Sequence, residues 1–262
     1  MIRVTDYDAI STEVYEQRYE RYDHRGYERV LSAFVEGAAA VLEVGSGTGH
    51  WLKLLADRVP RLAGTDLSVN MLRAAQRLVP QIPLVRGRAE SLPWQDGSFD
   101  RVFCVNAFHH FVDKPRFLAE VCRVLRPEGG LMTIAMDPHR ATDRWWLYDY
   151  FPEAVVVDRE RYLPSEQIRE EMQRAGLQRC ATVEAQHHGG TLTARAAFSR
   201  GLLDKGFTSQ LAVMSEQEYQ AGLARLRAAE QAAAARGEEL LLPADFGLYA
   251  TTGWKTMGPV AG

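Results

Sequence analysis

Three glycines, Gly45, Gly47 and Gly49, are spaced two apart directly after an apolar run whose one acid is Glu43. Glycine removes the side chain and tolerates left-handed backbone, so a strand can turn tightly into a helix there. The helix N-terminus then faces the turn with free N–H groups, an arrangement suited to a nucleotide-like ligand. Asp66 closes the next apolar run, where its carboxylate can accept from both hydroxyls of a ribose. The nicotinamide fingerprint G-x-G-x-x-G would need its third glycine at position 50, which is His50; the sequence reads E-x-G-x-G-x-G instead. Duller readings stand beside these: Asp66-Leu67-Ser68 is also a helix N-terminus, and Met71 is also ordinary core filler. His109-His110 and His187-His188 each follow a later apolar run, where an imidazole could serve as a base.

These residues need elements to hold them. Ala40–Val44 reads as a strand, the glycines as a turn, and His50–Ala56 as a helix. Arg61–Thr65 is a second strand, with Ser68 capping a helix over Val69–Leu78. Strands follow at Ile82–Val85 and Phe99–Val105. A helix from Asp113 to about Leu125 ends at Arg126-Pro127-Glu128-Gly129-Gly130, and Leu131–Met136 is a fifth strand. Strands alternating with helices predict βαβ units and a parallel sheet. Beyond Met136 come a helix from Ser165 to Ala175, a strand Leu177–Ala185 and a final strand Phe246–Thr252. Two stretches break this rhythm. The first crowds Trp145, Trp146, Tyr148, Tyr150 and Phe151, as lid core or as substrate wall; the second holds a helix with the capping box Ser215-Glu216-Gln217-Glu218. Tyr7, Tyr15, Tyr19, Tyr22 and Tyr27 mark an amphipathic N-terminal arm.

Composition narrows the classes. The chain has 262 residues, 46% hydrophobic and 25% charged, with 31 Lys and Arg against 34 acids and a net charge of −3. That balance offers no general hold on nucleic acid, and no run approaches membrane-spanning length. The opening Met1-Ile2-Arg3-Val4-Thr5-Asp6-Tyr7-Asp8 contains no leader-like apolar core, so a cytoplasmic protein is expected. Cys104, Cys122 and Cys180 lie far apart, which excludes a disulfide framework and a thiolate zinc site; no metal is expected. Oligomeric state is left open.

Five stretches carry a family resemblance: Val41-Leu42-Glu43-Val44-Gly45-Ser46-Gly47-Thr48-Gly49; Thr65-Asp66-Leu67-Ser68 with Met71; Gly87-Arg88-Ala89-Glu90-Ser91-Leu92-Pro93-Trp94; Asp96-Gly97-Ser98-Phe99-Asp100; and Leu125-Arg126-Pro127-Glu128-Gly129-Gly130. In this order the sequence resembles the class I S-adenosylmethionine-dependent methyltransferases, in the small-molecule, type 11-like group. The likeness is tight over residues 38–136 and holds in outline beyond. It implies an α/β fold, a Rossmann-like seven-stranded, mostly parallel sheet with the last strand antiparallel, helices on both faces and helical lid insertions. The segments expected are an arm at 1–37, a cofactor-binding core at 38–136, a lid at 137–163, core at 164–186, a helical lid at 187–243, and a final strand and tail at 244–262, in one domain. Both lids are expected above the carboxyl edge of the sheet.

The resemblance implies S-adenosylmethionine as cofactor and S-adenosylhomocysteine as product. Gly45, Ser46 and Gly47 would lie against the methionine part, Glu43 near its ammonium, and Asp66 on the ribose. Leu67 and Met71 would enclose the adenine, the Ala89 N–H would meet a ring nitrogen, and Asn106 would sit near the sulfonium. Arg88 stands where the family usually has an aspartate, so Glu90 or backbone would take that aspartate's place. Tyr15 and Tyr19 would close over the cofactor. His109 and His110 are the candidate catalytic residues, accepting a proton if the acceptor is a hydroxyl or carbon. The function implied is methyl transfer to a small, partly apolar acceptor by in-line displacement. The alternatives are a nicotinamide-dependent oxidoreductase and a non-catalytic S-adenosylmethionine-binding protein.

Overall fold

Strand-period and helix-period apolar patterns sort this chain into a central sheet with helices on both faces. The structure, a computed structural model, describes residues 5–21 and 23–257. Tyr22 and the first part of the leader reading, Met1–Val4, lie outside the described residues. After a single 3-10 turn at Tyr7–Ala9 come α1 (Thr12–Arg21), α2 (Arg25–Val35), β1 (Ala40–Val44), α3 (His50–Leu55), β2 (Arg61–Asp66), α4 (Val69–Leu78), β3 (Leu84–Arg86) and β4 (Phe99–Val105). A second 3-10 turn, Phe108–His110, leads to α5 (Lys114–Val124), β5 (Leu125–Met136), β6 (Arg144–Trp145), α6 (Trp146–Tyr150), α7 (Pro152–Arg161) and α8 (Ser165–Arg174). The chain ends in β7 (Leu177–Thr193), α9 (Ala194–Ser199), α10 (Ser209–Ala212), α11 (Glu216–Ala235) and β8 (Leu241–Lys255).

The sheet order is β3-β2-β1-β4-β5-β8, with β7 and the two-residue β6 also paired to β8. Pairings from β3 to β5 are parallel, and β8 runs antiparallel to β5 and β7. The class is the one expected; β6 brings the count to eight. Chain order reverses between β1 and β4, which opens a crevice at the carboxyl ends of both strands. Alternation along β4 feeds two cores: Phe103 and Val105 pack with Tyr27, Leu31 and Trp51, while Val102 and Cys104 pack with Phe117, Val121 and Met172. A third core belongs to the lid, where Trp146, Leu147 and Phe151 bury against Leu211, Leu223 and Leu226.

Several boundaries differ from expectation for local reasons. β3 begins at Leu84 rather than Ile82 because Pro83 has no N–H to give a ladder. β5 begins at Leu125: Phe99 pairs with Leu125 and Arg101 with Gly130, so the intervening residues form a bulge in which Glu128 takes φ 62°. β7 runs on to Thr193 and β8 starts at Leu241, so both ends of the expected 187–243 insertion are strand and the helical part lies between them. The long ladder from Leu177–Lys255 to Thr193–Leu241, whose register shifts between Gln178 and Ala181 and between Glu184 and Gln186, supplies partners that the glycines in this stretch conceal from a sequence reading.

A cofactor-shaped crevice and the cavity beside it

The glycine turn is fastened to β2. Gly45 N–H and Ser46 N–H both donate to the Thr65 carbonyl, at 2.7 and 3.1 Å. Gly45, Gly47 and Gly49 have φ of 75°, 52° and 85°, the left-handed region in which a side chain is strained. A Cβ on Gly45 would stand 2.5 Å from the Ala107 Cβ, and one on Gly47 would stand 3.4 Å from the Tyr15 hydroxyl. The turn therefore leaves bare backbone facing the crevice.

Asp66 does two jobs at once. Oδ2 accepts from Gly47 N–H at 2.8 Å and Oδ1 from Ser68 N–H at 2.9 Å, so it ties the glycine turn to the start of α4. Each oxygen keeps a lone pair for the crevice. Burial raises its carboxyl above the usual aspartate range despite these bonds. Glu43 lies deeper, fully buried, and its Oε2 has no partner among the described residues. Burial first, then the neighbouring Asp66, pushes its carboxyl well up. Two carboxyls thus stand together beneath the turn, which favours a ligand that is cationic at that end.

The crevice encloses about 250 Å³. Tyr15, Gly45, Gly47, Asp66, Leu67, Met71, Arg88, Ala89, Glu90 and Asn106 all line it, as does His110. Three expected residues do not line it. Glu43 and Ser46 are buried behind the turn, and Tyr19 lines the neighbouring cavity, where it stacks on His50 with ring centroids 3.8 Å apart. Burial lowers His50 to about 4, so a neutral ring occupies the position of the missing third glycine. Arg88 faces Glu90 at 3.6 Å, while Glu90 also accepts from Val112 N–H at 2.8 Å and so holds the segment after the second 3-10 turn. Leu67 is 54% exposed at the mouth.

The sequence did not point to Tyr7, Phe111 or Val112 as lining residues. Tyr7 arrives because Asp8 docks on α4: its carboxylate accepts from Ser68 Oγ at 2.5 Å and from Asn70 N–H at 3.2 Å. The Tyr7 hydroxyl then meets His110 Nε2 at 2.7 Å. A tyrosine in a polar arm carries no spacing signal for such a contact.

A second cavity of about 140 Å³ adjoins the first, and Tyr7, Tyr15, Val105 and Asn106 belong to both walls. Asn106, just past β4, has φ 50°, a left-handed conformation that asparagine tolerates better than most residues. The two candidate histidines are divided between the cavities, with His110 on the first and His109 on the second. His109 is buried and stacks on Tyr162 with centroids 3.9 Å apart; its Nε2 lies 3.0 Å from the Tyr162 hydroxyl. Gln210 Nε2 donates to that hydroxyl at 3.3 Å, so Gln210, Tyr162 and His109 form one connected chain of side chains. His188 also lines this cavity, whereas His187 is an exposed bridge between Glu184 and Asp245. Trp145 faces the cavity while Trp146 and Phe151 lie in the lid core, so the aromatic cluster is both wall and packing. Both lid segments reach this cavity over the ends of β4 and β5, through Tyr162 and Gln210 beside Asn106 and Met136.

Comparison with known proteins agrees with this geometry. Residues 42–133 match a family described as a methyltransferase domain. They comprise the glycine turn, Asp66, the Arg88–Glu90 segment and the end of β4. This is a class I S-adenosylmethionine-dependent methyltransferase domain. Phthiotriol/phenolphthiotriol dimycocerosates methyltransferase 1 of Mycobacterium ulcerans is 37% identical over 123 residues, which are 45% of this chain and 45% of that protein. The aligned part is thus less than half of that relative. The crystal structure of the YcgJ protein from Bacillus subtilis aligns with a TM-score of 0.62 at 20% identity, covering 90% of this chain and 100% of that one. Phosphoethanolamine N-methyltransferase 2 of Haemonchus contortus, in complex with S-adenosylmethionine, aligns with a TM-score of 0.61 at 19% identity over 94% of this chain and 57% of that one. The structural likenesses are of fold. The cofactor of the methyltransferase domain is S-adenosylmethionine, and the bare glycine backbone, the ribose-ready Asp66 and the orphaned Glu43 carboxyl fit it.

Proposed function

We propose that this protein is a methyltransferase that acts on a small, uncharged, partly apolar acceptor held in the second cavity. The observation that carries the reading is the shared wall: Tyr7, Tyr15, Val105 and Asn106 bound both cavities, so a ligand in each would meet there. When bound, the cofactor supplies a methyl group on a sulfonium, with a neutral thioether as leaving group. The protein's work is alignment and the exclusion of water. Asp66 would hold the ribose hydroxyls, Met71 and Leu67 would pack the adenine, and the Ala89 N–H would meet its ring. The bare backbone of the glycine turn would lie against the amino-acid end, with the Glu43 carboxyl buried behind it. His110, fixed by Tyr7, would help close the adenosine side.

The second cavity has no Lys, Arg, Asp or Glu in its wall, which supports an uncharged acceptor. A hydroxyl or carbon acceptor must lose a proton as the new bond forms, and we assign that proton to His109. Tyr162, kept neutral by burial and fixed by Gln210, would orient the imidazole. The M. ulcerans relative is named as a methyltransferase of phthiotriol and phenolphthiotriol dimycocerosates, which supports a hydroxyl-bearing, partly apolar acceptor here. We place the protein in the cytoplasm without nucleic acid as partner: its three cysteines are free, and its net charge is −3. Among the described residues no helix is long and apolar enough to cross a membrane.

Titration calorimetry tests the cofactor half. S-adenosylhomocysteine should bind and NADH should not; the reverse would restore the oxidoreductase reading. Conversion of S-adenosylmethionine in the presence of apolar hydroxyl compounds tests the transfer half. Binding without turnover of any acceptor would favour the non-catalytic alternative.

A further inference from the structure

A third cavity, of about 270 Å³, lies on the far side of the second, inside the lid. Its wall includes Trp146, Leu147, Leu192, Leu202 and Phe207, and none of its lining side chains is charged. Trp145, His188, Thr208 and Phe246 belong to the walls of both cavities and so form part of the partition between them. The partition is a loose stack of rings, with Phe246 at 5.4 Å from Trp145 and 5.3 Å from His188, centroid to centroid. His188 and Phe246 face each other across the β7–β8 ladder, and Gly190 pairs with Ala244 one step further along the same face. At Gly190 a Cβ would meet nothing within 4 Å, and Gly189 to Thr191 are exposed. The cavity therefore has an apolar floor, a thin aromatic wall toward the second cavity, and an exit at bare glycine backbone.

We propose that this cavity is a subsite for an apolar chain, alkyl or prenyl, carried by an acceptor whose reacting head sits in the second cavity. A ring rotation within the Trp145–His188–Phe246 stack would join the two spaces, since aromatic contacts of this length tolerate several packings. No Lys, Arg, Asp or Glu lines either cavity, so the desolvation of a charged tail would find no countercharge of that kind there. The long ladder that carries β7 to Thr193 thereby gains a purpose: it forms one wall of the subsite.

The proposal rests on the methyl-transfer reading, and the experiment separates the two. Phenol and straight-chain 4-alkylphenols of increasing length are titrated into the full chain by calorimetry, with and without S-adenosylhomocysteine. Affinity should rise about fourfold per added methylene while the chain is being buried, then level off once it reaches the exit. Leu202→Trp and Leu192→Phe, which fill the cavity, should abolish that rise and leave the affinity for phenol within about twofold. Each variant counts if its melting temperature matches the parent; should both unfold, the chain-length series on the parent protein decides. An affinity independent of chain length, or a rise that survives in a folded, filled variant, overturns the subsite. Failure of S-adenosylhomocysteine to bind would overturn the methyl-transfer reading alone, because the alkylphenol series reports the cavity without it.

Discussion

Asp66 is the residue on which the cofactor site turns. Asp66→Ala removes the acceptor we propose for the ribose hydroxyls and also releases Gly47 and Ser68. S-adenosylhomocysteine binding should weaken by about 1–3 kcal/mol, roughly five- to 150-fold, as read by calorimetry. Burial has raised the Asp66 carboxyl, and the ionised form is the one that accepts from hydroxyls. Binding should therefore fade on acidification at a pH above the ordinary aspartate value of 3.8. Glu43 supplies a stability test with its own sign. Its folded-state pKa is raised, so between the unfolded and folded values the native state holds a proton that the unfolded chain has released. Its favourable contribution is present below 4.5 and is lost as pH rises through the folded value. Glu43→Gln should accordingly raise the melting temperature of the ligand-free protein at about pH 8, with a gain that shrinks toward zero in acid. A constant gain at both pH values would show that Glu43 does not titrate on unfolding. The residues legible in the sequence were those next to strand ends: Gly45, Gly47, Asp66, Met71, Ala89 and Asn106 all line the crevice. Tyr162 and Gln210 were not, because their approach to His109 depends on how α7 and α10 pack across the lid.

At the scale of elements, the arm and the lid hold their positions by different means. The arm is pinned by polar contacts, chiefly Asp8 on the buried Ser68 and on Asn70. These bonds, Ser68 first, lower the Asp8 carboxyl, so docking is fully supported above 3.8 and lost as pH falls through the depressed value. Asp8→Ala should speed amide exchange across residues 7–21 and weaken S-adenosylhomocysteine binding, while β1 and β4 keep their protection. In the parent protein the same ligand should slow exchange over residues 7–21 and, through Trp145, over 144–151. The lid is held by buried groups. Asp158 and Arg161 are both essentially inaccessible and meet at 2.6 Å, with Tyr148 donating to the same carboxylate. Asp158→Ala would strand a buried guanidinium whose Nε and Nη1 have no hydrogen-bond partner among the described residues, and should cost about 3–5 kcal/mol in urea denaturation. Element types were legible wherever periodicity was strong, as in α4 and its Ser68 cap. The far end of β7 and the start of β8 were not, because Thr193 finds its partner in Leu241, across the whole helical part of the lid, rather than in any local pattern.

For the molecule as a whole, the sheet places two cavities on either side of one point, Asn106 at the end of β4. Parallel strands β1 and β4 open the crevice, β5 and the β7–β8 ladder carry the lid over it, and the arm covers the glycine turn from the other side. His109 stands on the acceptor side of that point, and its removal should be felt in turnover more than in cofactor affinity. His109→Ala should lower the rate of methyl transfer to a hydroxyl acceptor by about 10²–10⁴-fold and leave S-adenosylhomocysteine binding nearly unchanged. The most direct measurement is a crystal structure of the protein with S-adenosylhomocysteine bound. The ribose should rest on Asp66, the adenine between Leu67 and Met71, and the sulfur beside Asn106, facing the cavity of His109 and Tyr162. A nucleoside bound elsewhere, or one whose sulfur is turned away from that second cavity, would contradict the account.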